Sequence, residues 1–266
     1  MNMQLVKHAG IFLFSLALIA CASSGPKGTS DHADQNAPVA VNREAAEATR
    51  NVGEAYLAGG NLIAALRELK KSEALNPADH ITQYDLGLLY YYRERYDQAI
   101  EHFEKAIRLK SDYAPAINSL GNVYSAKGDW DKAIEIYRSI AEDAFYGTPH
   151  FALSNMALAY YQKKEYGQAE KYFNEALALK KDFVNALWGL GMTYNATGRY
   201  SEAIVKLEAA LKRDPKSAGL HFELGRSYQG LGERVKAQNE FAQVVQLEPD
   251  TPIAAEAQKA ILNLQP

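Results

Sequence analysis

Apolar residues in the larger part of this chain return at intervals of three and four, the period of one face of an α-helix. The clearest stretch is His80–Tyr113, where Leu86, Gly87 and Tyr90 mark one amphipathic segment and Ala99, Phe103 and Ala106 mark a second. Sliding this 34-residue pattern along the chain recovers it six times. The small residue of the first segment falls at Gly53, Gly87, Gly121, Ala157, Gly191 and Gly225, so the intervals are 34, 34, 36, 34 and 34. A tyrosine follows three residues later each time, at Tyr56, Tyr90, Tyr124, Tyr160, Tyr194 and Tyr228. The second segment carries Ala65, Ala99, Ala133, Ala169, Ala203 and Ala237, each followed four residues on by a bulky residue: Leu69, Phe103, Tyr137, Phe173, Leu207 and Phe241.

Each unit therefore predicts two helices joined by a turn. Gly or Ala lets two helix backbones approach, the bulky residue and the alanine form the complementary surface, and the tyrosine fills the adjoining gap. One such unit has too little apolar surface to fold alone, whereas stacked units bury a continuous core. Turn signals agree: Gly59-Gly60-Asn61, Lys127-Gly128-Asp129, Thr197-Gly198-Arg199 and Leu231-Gly232-Glu233 place Gly where a helix should end. Pro77, Pro215 and Pro249 close three of the units.

The pattern resembles the tetratricopeptide repeat over about Ala46 to Thr251. It departs from that family where a tryptophan often opens the first helix; those positions here are Thr49, Gln83, Ile117, Leu153, Leu187 and His221. The resemblance implies an all-α, right-handed superhelical solenoid of six helix-turn-helix repeats over residues 43–251. Residues 252–266 then read as a capping helix, with Ile253, Ala257, Ala260, Ile261 and Leu264 on one apolar stripe. The longer third interval maps to Phe145-Tyr146-Gly147-Thr148-Pro149, a loop insertion that is either a tolerated indel or a shaped contact element.

The start of the chain is a different polymer. Lys7 precedes an apolar run of twelve residues, Ala9 to Ala20, which ends at Cys21. That run is far shorter than the roughly 20 residues a spanning helix needs, so residues 1–20 read as a signal peptide. Leu18-Ile19-Ala20-Cys21 resembles the bacterial lipobox, and Cys21 is the chain's sole cysteine. The resemblance implies lipidation at Cys21 and, with Ala22 rather than aspartate next, an address on the periplasmic face of the Gram-negative outer membrane. Residues 21–42 then form a lipidated flexible linker, rich in Ser, Gly, Pro, Asp and Asn. With no second cysteine, stability must come from packing.

A net charge of −3 with 23% charged residues gives no electrostatic reason to expect nucleic acid as a partner. The six histidines are scattered without metal-ligand spacing, and no nucleophile elbow or phosphate-cradling loop is present. The reading is therefore a protein that is not an enzyme, with no cofactor, metal or small-molecule substrate.

The informative surface is a second stripe on the first helices, facing into the superhelix. It carries Tyr84, Leu88, Tyr91 and Tyr92 in the second unit, Phe151, Leu158 and Tyr161 in the fourth, and Trp188 and Met192 in the fifth. Asn118, Asn122, Asn155 and Asn195 share the stripe, and a carboxamide both donates to and accepts from an extended backbone. The expectation is a groove that takes a segment of a partner protein; the alternative is that the aromatics fill space between neighbouring helices. The six-repeat rhythm and the Tyr146-Gly147-Thr148-Pro149 junction running into Ala152, Asn155 and Ala157 resemble the type IV pilus pilotins. That resemblance implies a secretin subunit as partner and a role in secretin localisation and assembly. A general periplasmic adaptor for peptidoglycan enzymes, proteases or barrel assembly, or a part in polysaccharide export, stands as the alternative.

Overall fold

The computed structural model describes residues 41–142 and 147–264, and within them the chain forms thirteen α-helices and no strand. The signal peptide, Cys21 and most of the expected linker lie outside the described residues, as do Phe145 and Tyr146 of the insertion. The helices pair as expected: α1 (Arg43–Ala58) with α2 (Leu62–Leu75), α3 (His80–Tyr92) with α4 (Tyr96–Leu109), and α5 (Ala114–Lys127) with α6 (Trp130–Ala141). Then follow α7 (Pro149–Gln162) with α8 (Tyr166–Leu179), α9 (Val184–Ala196) with α10 (Tyr200–Leu211), α11 (Ala218–Gly230) with α12 (Arg234–Leu247), and the single α13 (Pro252–Asn263). Each first helix touches the first helix of the next unit, so the odd-numbered helices line the inner side of the stack.

In the five units that carry glycine, the small residue and the bulky residue meet as the pattern requires. A Cβ built at Gly53, Gly87, Gly121, Gly191 or Gly225 would lie 2.5 to 2.8 Å from the side chain of Leu69, Phe103, Tyr137, Leu207 or Phe241 respectively. No real side chain tolerates that approach, so glycine is what lets the two helices close. The six alanines of the second helices are fully buried. Tyr90, Tyr160 and Tyr194 are buried too, whereas Tyr56 of the first unit is 36% exposed, with no unit before it among the described residues to cover the ring.

One backbone device joins every first helix to its second. Gly60, Glu94, Gly128, Lys164, Gly198 and Gly232 all have positive φ, between 56° and 80°. The next residue's N–H reaches back to the repeat tyrosine's carbonyl at 2.8 to 3.0 Å in all six turns. This satisfies carbonyls that the ending helix would leave open. Glycine is the residue that adopts this conformation freely, and two units place Glu94 and Lys164 there instead.

The position that often holds tryptophan is put to polar use twice. Gln83 is fully buried; its Nε2 donates to Glu73 (3.0 Å), and its Oε1 lies 2.8 Å from His102 Nδ1. At the equivalent place His221 Nδ1 lies 2.7 Å from Glu240, again nineteen residues on. At the C-terminal end Thr251 caps α13 through Ala254 N, and Ala254 and Ala257 are buried on the last repeat with Ile253, Ala260, Ile261 and Leu264 half-buried around them.

Candidate functional site

The inner face is built from three registers of the odd-numbered helices. One register holds Glu54, Leu88, Asn122, Leu158, Met192 and Arg226; the next holds Leu57, Tyr91, Ser125, Tyr161, Asn195 and Gln229. The third holds Arg50, Tyr84, Asn118, Ser154, Trp188 and Phe222. Charge therefore sits at the two ends, while the middle is apolar and amide. Leu88, Tyr84 and Tyr91 are half-buried against the core of the first repeats, and Leu158, Met192 and Phe151 against the core of the later ones. Their remaining surface belongs to the groove, which gives apolar patches a setting in which a partner can cover them.

Aromatic contacts hold this face in shape. Tyr84 packs on Phe103 at 5.8 Å and meets Tyr113 edge-on at 5.4 Å. Tyr91 leans on Tyr96 at 6.2 Å, and Tyr161 on Tyr166 at 5.6 Å, the same pairing two units apart. Tyr92, at the end of α3, is 44% exposed beside Tyr91. Phe151 meets Phe183 edge-on at 4.9 Å, closing the start of α7 onto the start of α9. Tyr161 is buried, and burial together with the nearby Glu223 pushes its hydroxyl up to about 12.

The asparagines divide into two kinds. Asn155 Nδ2 reaches Asn118 Oδ1 (3.2 Å) and Asn122 Oδ1 (3.4 Å), and the Tyr137 hydroxyl donates to Asn122 Oδ1 (2.7 Å). This amide ladder bridges α5 and α7 and stays half-buried at the groove surface. Asn195 differs from the sequence expectation. It is buried, its Nδ2 donates to Glu223 O and Oε2 at 2.9 Å, and Ser227 Oγ donates to its Oδ1 at 2.7 Å, so its polar atoms tie α9 to α11. Trp188 is likewise drawn into packing: a Cβ at Gly219 would lie 2.6 Å from its ring, and its buried indole N–H has no partner among the described residues.

Sequence reasoning passed over the ionic cluster at the N-terminal end. Arg50 Nη1 contacts Asp79 Oδ2 at 2.6 Å and Nε contacts Glu54 Oε1 at 3.1 Å. Asp85 faces the same group from α3, and burial followed by the charge of Glu54 pushes its carboxyl well above the usual range. Part of the signal was available in the repeat register, since 50 and 54 both fall on inward positions. At the other end Arg226 is bound by Glu223 at 3.0 Å. Among the described residues no group of His, Cys, Asp and Glu is placed to hold a metal ion, and no helix is long and apolar enough to cross a membrane.

Sequence models described as tetratricopeptide or TPR repeat match residues 87–128, 112–182, 154–218 and 194–261, together spanning 87–261. The chain is a tetratricopeptide-repeat solenoid. Among proteins similar to this solenoid, type IV pilus assembly protein PilF of Pseudomonas aeruginosa is 26% identical over 180 residues, covering 66% of this chain and 68% of that protein. Bovine BBSome complex member BBS4 is 25% identical over 202 residues, 76% of this chain, and the solenoid spans only 38% of its length. Among solved structures, PilW, described as a widely conserved type IV pilus biogenesis factor, superposes with a TM-score of 0.72 at 20% identity, covering 80% of this chain and 98% of its own.

Proposed function

We propose that this chain is a lipid-anchored outer-membrane pilotin, whose inner groove takes a segment of a secretin subunit and whose Cys21 lipid carries that subunit to the membrane where the ring assembles. The observation that carries the binding half is the half-buried stripe of Leu88, Tyr91, Leu158 and Met192 beside the amide ladder of Asn118, Asn122 and Asn155. An extended or helical segment laid there covers apolar surface and meets amides able to pair with its backbone. The similarity to PilF and PilW supports the choice of system. Tethering turns capture into local concentration, so a modest groove affinity suffices.

The test compares the parent chain with Leu88→Ala/Leu158→Ala/Met192→Ala and with Cys21→Ser, each checked for helical content. Secretin multimers should fractionate with the outer membrane in the parent. The groove variant should lose secretin co-purification, and Cys21→Ser should keep co-purification but lose outer-membrane delivery. Secretin that localises and multimerises equally in all three contradicts the proposal. BBS4 favours a second reading, a scaffold within another multi-protein assembly; recovery of a different envelope partner by the parent and not by the groove variant supports it.

A further inference from the structure

The two ends of the groove are not equivalent in charge. At the α11 end Glu223 and Arg226 balance each other. At the α1–α3 end Glu47, Glu54, Asp79 and Asp85 converge on one guanidinium, that of Arg50. Asp79 is also engaged by the Thr82 hydroxyl (2.8 Å) and the Ile81 N–H (3.2 Å). Asp85 is 5% exposed and shares a hydrogen bond with Glu54, while its Oδ2 has no partner among the described residues. Glu54 stands in front of it with 43% of its side chain exposed. Tyr84 and Tyr113 flank the cluster, the Tyr84 hydroxyl bonding to Ser119. A buried carboxyl with an empty acceptor is costly unless a donor completes it.

We infer that the segment held in the groove presents a basic side chain, lysine or arginine, at the α1–α3 end, where Glu54 receives it with Asp85 behind. This rests on the groove reading and adds an orientation: the basic residue points toward α1 and the apolar residues toward Met192. With the proton on Asp85, the carboxylates of Glu47, Glu54 and Asp79 still outnumber the single guanidinium of Arg50, and a cation from the bound segment offsets that excess. With no metal-holding arrangement among the described residues, the fitting cation is an ammonium or guanidinium. Without it, burial and then Glu54 keep the proton on Asp85; a cation beside Glu54 lets that proton leave. Binding therefore releases a proton.

The probe is a random dodecapeptide library panned on the full chain, on Glu54→Gln, on Glu54→Gln/Asp85→Asn, and on Leu158→Ala/Met192→Ala. Peptides selected by the parent should share a Lys or Arg at a fixed distance from their apolar residues. Replacing that Lys by norleucine in a selected peptide should weaken binding to the parent about tenfold and leave binding to Glu54→Gln unchanged. Affinity of the Lys peptide should also rise with pH, while the norleucine peptide stays flat. Apolar peptides without a shared basic residue, lost on Leu158→Ala/Met192→Ala, overturn this inference and leave the groove reading standing. Peptides indifferent to Leu158→Ala/Met192→Ala overturn both. The single Glu54→Gln change, at a half-exposed position, keeps the test decisive should the double variant fold poorly.

Discussion

Phe173 of α8 fills the space that a side chain would take at Gly189 of α9: a Cβ built there would lie 2.1 Å from the ring. This contact joins the fourth repeat to the fifth, next to the half-buried Trp188. Gly189→Ala forces the ring or the helix to move, and the expected loss of stability is about 1–3 kcal/mol. Gly167 in α8 has nothing within 4 Å of the corresponding position, so Gly167→Ala should be neutral or stabilising. Urea unfolding of both variants checks the contrast; equal effects would mean that the close approach carries no energy.

The left-handed turn predicts a gain. Lys164 sits where four other repeats have glycine, with φ of 62° and an exposed side chain. Lys164→Gly removes backbone strain against a partly offsetting entropy cost, for a net gain of about 0.5–1 kcal/mol. A higher thermal midpoint with unchanged helical content would bear this out, and a lower one would refute it.

Asn195 and Asn155 should part company on mutation. Asn195→Ala removes the bonds that tie Glu223 and Ser227 to α9, leaving Glu223 only Arg226 and Ser227 only the Glu223 carbonyl, and should cost about 1–3 kcal/mol. Asn155→Ala breaks two longer bonds, at 3.2 and 3.4 Å, at a half-buried surface, so its effect on stability should be well under that of Asn195→Ala. Its effect should appear in partner binding instead. Parallel denaturation and binding measurements on the two variants separate the roles.

Two carboxyls set opposite pH dependences. Asp85 is raised in the folded chain, by burial and then Glu54, so its contribution is whole below the ordinary carboxylate range and is lost as pH rises through the folded value. Asp85→Asn should remove that loss and stabilise the protein most on the alkaline side. Burial acts to raise Glu73 as well, but Lys70, Gln83 and Lys105 outweigh it and hold the group at about 2. Its contribution is present above pH about 4.5 and lost as pH falls toward about 2, so Glu73→Gln should flatten the acid limb. Stability curves from pH 2 to 9 that ran parallel for parent and variants would contradict both assignments.

The repeat was legible because each marker residue performs a steric task that a single residue type does well. Gly87 and Phe103 announce their own contact, and the four glycine turns fall where the sequence puts them. The turns at Glu94 and Lys164 were not legible, since packing on both sides imposes a conformation their residue types do not prefer. On the inner face, a helical period assigns the side but not the partner. Leu158 and Met192 keep groove surface, while Asn195 and Trp188, on the same side, are claimed by α11 through Glu223, Ser227 and Gly219. Those contacts depend on the superhelical stacking of units, which no single repeat encodes.

The central claim, that a partner segment lies along the inner helices, is tested most directly by site-specific photocrosslinking in the native envelope. A benzophenone side chain at Leu158, half-buried in the groove, is compared with one at Val205, 62% exposed on the second helix of the fifth repeat. The account predicts a crosslinked secretin from position 158 and none from 205. Crosslinking from 205 with none from 158 would place the partner on the outer helices and contradict it.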